Sequence, residues 1–222
     1  KKISPKPMQL VTTVGTPDEV SGVVVSGKTL IVYGSKASKA YARGVDTTGK
    51  ELWSLSLDQA PASIATTAAV DPVGDIWIAG ATPLALGLIE PSPTATPVNP
   101  DNAVVPPTTL VGNLQAVTIW KITAAGVITF TKTLPTSSVL FPTSISVDRN
   151  GASVVGIIGS EKGSAGFLVN SDKDGVFGKL LQIGSLATTA DSVVRHSDGS
   201  FTVVGSSSET LGGKKVAGII DG

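Results

Sequence analysis

His196 is the only histidine in the chain and sits in the run Arg195-His196-Ser197-Asp198-Gly199. Acid–base or metal work by histidine needs a partner that fixes its tautomer or shares the ion, so a lone turn histidine reads as a solvent-exposed residue. With no cysteine in the sequence, thiolate metal sites, cysteine nucleophiles and disulfides are excluded together. Serine is abundant, yet no Gly-x-Ser-x-Gly elbow stands where a strand runs into a helix, the setting that activates a serine. Asn170-Ser171-Asp172-Lys173-Asp174-Gly175 places oxygen-bearing side chains at alternate positions with a glycine sixth, as a calcium loop begins. Such a loop closes on a glutamate at its twelfth position, where this chain has Leu181, so Asp174-Gly175 reads as a hairpin turn.

Asp71, Asp75, Asp148 and Asp198 each fall at a turn between two expected strands, which gives them the same explanation. Glycoside hydrolysis needs two carboxylates at a set separation, and no spacing here ties two together. Trp53, Trp77 and Trp120 occupy strand positions facing between sheets, where packing is the expected role. No catalytic, cofactor-binding or metal-ligating residue is therefore assigned, and no cofactor.

The elements that would position any site are strands. Hydrophobic residues make up 41% of the 222 and charged residues 15%, and the apolar set is mostly Val, Ile, Leu and Ala interleaved with Ser, Thr and Gly. β-branched side chains fit a pleated surface, whereas Glu, Lys and Arg are the usual fillers of exposed helix faces. Seventeen basic residues balance seventeen acidic ones. That leaves no electrostatic footprint for nucleic acid, and no apolar run reaches the ~20 residues of a transmembrane helix. Residues 1–7, rich in Lys and Pro, read as a flexible leader; the Lys1 start leads us to expect that an N-terminal piece has been removed.

One pattern recurs four times: strand, glycine turn, strand closing on glycine, strand, glycine turn, strand. The first copy runs from Glu19 to Leu57, the second from Ser63 to Leu134, the third from Pro142 to Ile183 and the fourth from Asp191 to Gly222. Gly34, Gly80, Gly159 and Gly205 are 46, 79 and 46 residues apart; Gly49, Gly126, Gly175 and Gly222 are 77, 49 and 47 apart. A period in the high forties, stretched once by an insertion, fits both series and predicts propeller blades. The insertion is Thr82 to Asn113, with seven of the fourteen prolines; proline cannot donate into a sheet ladder, so this is a loop between the second and third strands of the second copy.

Three copies have four strands, the last has three, and Met8-Gln9-Leu10-Val11-Thr12-Thr13-Val14 alternates apolar and polar ahead of the first. The expected architecture is all-β: a single β-propeller domain over residues 8–222, with four blades of four antiparallel strands, closed by the N-terminal strand in the last blade. Ser21, Gly22, Ala65, Ala68, Ala69, Ser144, Ser146 and Ser192 on the innermost strands suit a crowded axis. A fragment of a larger propeller, or donation of the N-terminal strand to a neighbouring copy, stand as alternatives.

Asp46 followed by Thr48-Gly49-Lys50-Glu51-Leu52-Trp53 resembles the tryptophan-docking repeat of quinoprotein-type propellers. The run from Asn170 to Gly184 is similar to the repeats of bacterial seven-bladed and SBBP-type surface propellers. The docking repeat fits the first blade only; Phe130 and Lys179 stand at the tryptophan's place in the next two. The resemblance implies a bacterial exported propeller, extracellular, at the cell surface or periplasmic, used non-catalytically as a binding or scaffold module for protein or cell-surface partners. A structural subunit assembling by strand exchange, or an enzyme with an axial site, are the competing readings, and the chain is expected as a monomer or a strand-swapped oligomer.

Overall fold

The computed structural model describes residues 18–58, 62–84, 114–196 and 198–213. The leader, the closing strand expected at Met8 to Val14, most of the proline-rich insertion and the strand expected at Val216 to Ile220 lie outside the described residues. Those that are described are all-β, with four antiparallel sheets and no helix long and apolar enough to cross a membrane. The first sheet contains β1 (Asp18–Ser26), β2 (Thr29–Lys36), β3 (Lys39–Val45) and β4 (Glu51–Ser56), and the second β5 (Ile64–Val70), β6 (Ile76–Pro83), β7 (Leu114–Ile122) and β8 (Ile128–Pro135). The third contains β9 (Leu140–Asp148), β10 (Gly151–Ser160), β11 (Gly163–Asp172) and β12 (Leu181–Ile183); the fourth shows β13 (Ser192–Arg195) and β14 (Phe201–Val204). Strand order within each sheet follows the chain. β6 runs through Thr82 to Pro83, so the insertion leaves the sheet slightly later than the prolines predict, with Pro83 at the strand end beyond a register shift.

Each sheet lies against the next, β1 against β5, β5 against β9, and β9 against β13. The strand sequences follow from that stacking. Middle strands are covered on both faces, so β2 and β6 read as nearly continuous apolar runs, and β6 is buried from Ile76 to Thr82. Outer strands have one wet face, and Glu51-Leu52-Trp53-Ser54-Leu55-Ser56 on β4 alternates between exposed and half-buried positions. Tyr33, Ala42 and Ile31 of the first sheet meet Ile76, Ile78, Trp120 and Ile122 of the second. Ala79, Val117, Ile119 and Trp77 of the second meet Ile145, Val154, Phe167 and Val169 of the third, and Val155 and Leu168 of the third meet Val193 of the fourth. Each large aliphatic or aromatic side chain so buried contributes about 1.5–3 kcal/mol.

A bulge repeats in the first strand of three sheets, at Ser21, Thr66 and Thr143. Opposite it the second strand carries a glycine pressed against a carbonyl: Gly34 on Glu19, Gly80 on Ile64, Gly156 on Phe141 and, in the fourth sheet, Gly205 on Thr189. Thr66 and Thr143 donate their hydroxyls to the carbonyls of Ala79 and Val155, the residues just before Gly80 and Gly156. The equivalent glycine of the third sheet is thus Gly156 and not Gly159, the choice made from spacing alone. Gly159 lies nearer the strand end, where a Cβ would meet only ordinary contacts at 3.6 and 3.8 Å. Small residues on the first strands let neighbouring sheets come close: Ser144 and Ser146 hydroxyls accept from the backbone amides of Val193 and Arg195 at 3.3 and 3.0 Å.

The turn after each third strand is also shared. Asp46 and Asp172 each accept two backbone amides on Oδ1, from Thr48 and Lys50 and from Asp174 and Val176, while glycine three residues on adopts positive φ, 87° at Gly49 and 79° at Gly175. That geometry needs glycine, because a left-handed backbone strains residues with a Cβ.

Gly156→Ala drives a Cβ into the Phe141 carbonyl and the Phe167 ring and is expected to destabilise the fold by about 1–3 kcal/mol in urea unfolding. Gly159→Ala is expected to change stability by no more than about 0.5 kcal/mol; equal costs at the two positions would contradict the assigned register.

Candidate functional site

The repeat supplies a frame for comparing the three seams between sheets. Three residues before the close-approach glycine stand Ile31, Trp77, Ser153 and Thr202. The first three pair across to Gly44, Lys121 and Asn170 on the third strands. On the first strands Val25, Val70, Val147 and Arg195 pair with Leu30, Ile76, Ala152 and Phe201. One of the four positions on the first strands is charged.

In the first seam the space over Gly44 is filled by Trp53, whose ring also lies on Gly126 of the next sheet and whose Nε1 donates to the Ala124 carbonyl at 3.2 Å. In the second seam Trp77 is fully buried, meets Phe130 edge-on at 5.3 Å, and carries Lys121 Nζ 5.0 Å above its ring. Lys121 also bridges Asp71 at 3.3 Å and Asp75 at 3.2 Å, and Trp77 Nε1 donates to Asp71 Oδ2 at 3.0 Å. The three tryptophans are therefore packing residues, as expected: Trp120 is buried in the core between the first two sheets.

The third seam breaks the pattern. Ser153 stands in Trp77's place and Asn170 in that of Lys121. Lys179, four residues after Gly175 as Trp53 and Phe130 are after Gly49 and Gly126, is exposed. The outer strand begins late, at Leu181, because the chain leaves the ladder at Gly178, whose amide donates to the Asn170 carbonyl at 2.8 Å. Phe177 turns into the core between the second and third sheets. A cleft of about 460 Å³ results, lined by Ser153, Asn170, Asp172, Val176, Arg195 and Phe201 among others.

Arg195 is the charged hydrogen-bonding group that the fourth sheet brings to that cleft. Its Nε lies 3.3 Å from Asp148 Oδ2 with the side chain only 13% exposed, and its Nη1 donates to Ser153 Oγ at 3.2 Å. Ser153 in turn donates to Asn170 Oδ1. The guanidinium is thus held in one orientation by a chain of polar partners, as a binding group requires. Sequence reasoning attached nothing to Arg195 or Ser153. The signal was present in the column Val25, Val70, Val147, Arg195, but reading it required the Gly156 register.

Of the residues weighed for chemistry in the sequence, Asp71, Asp75 and Trp77 meet at Lys121, and Asn170 and Asp172 line the cleft, whereas His196, Asp198 and Asp174 stand apart from both groups. His196 is exposed, its Nε2 2.8 Å from Thr202 Oγ1, and its backbone closes a turn with Ser200. Asp198 caps Ser200, Asp174 pairs with Lys173 at 2.7 Å on the surface, and Asp148 accepts from the Asn150 amide besides facing Arg195. Among the described residues no group of three or more His, Asp or Glu is arranged to hold a metal ion. Comparison with protein-family models and with curated proteins finds no match.

Several carboxylates are held below their usual range. Burial pushes Asp71 up, but the Trp77 indole, the amides of Asp75 and Val73 and the Lys121 ammonium outweigh it and lower it. Glu209 is lowered by the amides of Ser185 and Leu186, which it clasps across the loop leading to β13. A depressed carboxylate adds stability that is fully present above its unfolded pKa and is lost as pH falls through the folded value. Melting temperature is therefore expected to hold from about pH 7 down to about pH 5 and then fall steadily. Asp71→Asn should lower it near neutrality and flatten the acid limb; an unchanged acid limb would show that Asp71 carries none of this dependence.

Proposed function

We propose that the chain is an exported, non-catalytic β-propeller of four blades that serves as a binding or scaffold module for a protein or cell-surface partner. The observation that carries this reading is directional packing. At every seam the face bearing Tyr33, Ala79 or Val155 covers the face bearing Ile78, Val154 or Val203 of the following sheet. One face of each kind has no described sheet against it at the ends of the row: that of the fourth sheet, where Val194 and Val204 are 52% and 60% exposed, and that of the first, where Val20, Val23 and Val25 on β1 are 51%, 50% and 58% exposed while Val32, Tyr41 and Val45 on the same face are buried. Bringing these two faces together repeats the existing contact a fourth time and closes a ring. Met8 to Val14 would then serve as the outer strand of the last blade. The resemblance to surface propeller repeats supports the exported setting. The polar cleft at the third seam supports binding as the role, since it is where the repeat gives up core residues for oriented hydrogen-bonding groups.

The same two faces favour one second reading. A leading face meeting a trailing face is a heterologous contact, and made between copies instead of within one it generates an open chain of subunits. Light scattering separates the two. The ring predicts a species of one chain's mass, 22.4 kDa, at all concentrations. Val23→Asp and Val204→Lys are each expected to cost that species about 1–3 kcal/mol, with partial recovery in the double variant. A concentration-dependent ladder of multiples that Val23→Asp abolishes would replace the ring with the subunit reading.

A further inference from the structure

We propose that the cleft between the third and fourth sheets binds a neutral, polyhydroxylated ligand, one saccharide unit at a time. The inference rests on the binding-module reading and names the ligand class for it. Charge is the first argument. Arg195 is the one cation among the described cleft residues, and Asp148 stands 3.3 Å from its Nε, while Asp172 adds a further carboxylate to the lining. The guanidinium is compensated before any ligand arrives, so an anion gains little there. A cation would meet Arg195 itself.

The polar groups mix donors with acceptors. Asn170 has its carbonyl oxygen engaged by Ser153, which leaves its amide hydrogens to donate. Asp172 accepts both turn amides on Oδ1, which leaves Oδ2 as an acceptor. Arg195 keeps guanidinium hydrogens beyond those directed at Asp148 and Ser153. A hydroxyl is both donor and acceptor, so vicinal hydroxyls match such a set where a purely donating or accepting ligand does not. Phe201 supplies the remaining element, an aromatic side chain 40% exposed at the cleft wall that offers a flat surface to the C–H face of a sugar ring. The cleft volume, about 460 Å³, lies within the ~300–1,000 Å³ of small-ligand sites.

The repeat column provides the decisive variant. Arg195→Val restores the residue type of the other three sheets and is made together with Asp148→Asn, because removing one partner of a half-buried ion pair leaves the other charge uncompensated, whereas replacing both is often close to neutral for stability. The test is a titration of the intact chain with glucose, galactose, N-acetylglucosamine and glucuronate, followed by ligand-observed and amide NMR. At least one neutral sugar is expected to bind with a dissociation constant on the order of millimolar, shifting signals of Asn170, Arg195 and Phe201. Arg195→Val with Asp148→Asn is expected to weaken that binding about tenfold or more while the amide spectrum remains that of the folded chain, and Phe201→Ala to weaken it as well, while Leu52→Ala on exposed β4 leaves it unchanged. Failure of every neutral sugar to shift the cleft signals, or tighter binding of glucuronate than of glucose, overturns the proposal. Failure of ring closure would instead appear in the light scattering and leave this titration readable, because the described residues lining the cleft all belong to the third and fourth units.

Discussion

The contact on which the rest of the structure depends is the close approach of a second-strand glycine to the bulged first strand beside it. A bulge bends and over-twists its strand, and the bend at Ser21, Thr66 and Thr143 brings a first-strand carbonyl onto the opposing Gly34, Gly80 or Gly156 so closely that no side chain fits between. Repeated from sheet to sheet, that twist sets the same face of each sheet against the next. The glycines cost backbone entropy, which the flanking apolar rows offset through burial on both sides of β2, β6 and β10.

Within this frame each seam solves one packing problem with different residues. Trp53 covers Gly44 and Gly126; Trp77, Lys121 and Asp71 form a buried polar knot beside Phe130; and the third seam gives up bulk altogether, with Ser153 and Asn170 facing Arg195 and Phe201. A half-buried arginine in a column of valines is costly unless its hydrogens find partners; Asp148 engages Nε and Ser153 engages Nη1. The departure is local, because the apolar contact of Val155 and Leu168 with Val193 continues beside it. The cleft is thus set into a seam that is otherwise packed like the other two.

The polar turns are the other recurring device. Asp46, Asp71 and Asp172 each draw backbone amides onto one carboxylate oxygen while a glycine takes the left-handed backbone. The calcium-loop likeness of Asn170 to Gly175 comes from this requirement: a carboxylate opens the turn and a glycine closes it, whichever strands are being joined.

The strand content, the antiparallel meander of the first three units, the turn glycines at 49, 126 and 175 and the place of the insertion were legible from residue types and spacing, because alternation and turn chemistry are local properties. Two things were not. Gly156 and Gly159 are both strand glycines near the expected spacing, and only the neighbouring strand's carbonyl distinguishes them, a contact made by residues far apart in sequence. Arg195 likewise carries no local sign of its role, since the valine column it interrupts exists only once the sheets are aligned through that glycine, and its partners Asp148 and Ser153 lie 47 and 42 residues earlier. The sequence by itself determined which segments are strands and where they turn; tertiary packing decided which faces meet and where the repeat opens into a cleft, because those depend on side-chain volume compared across sheets.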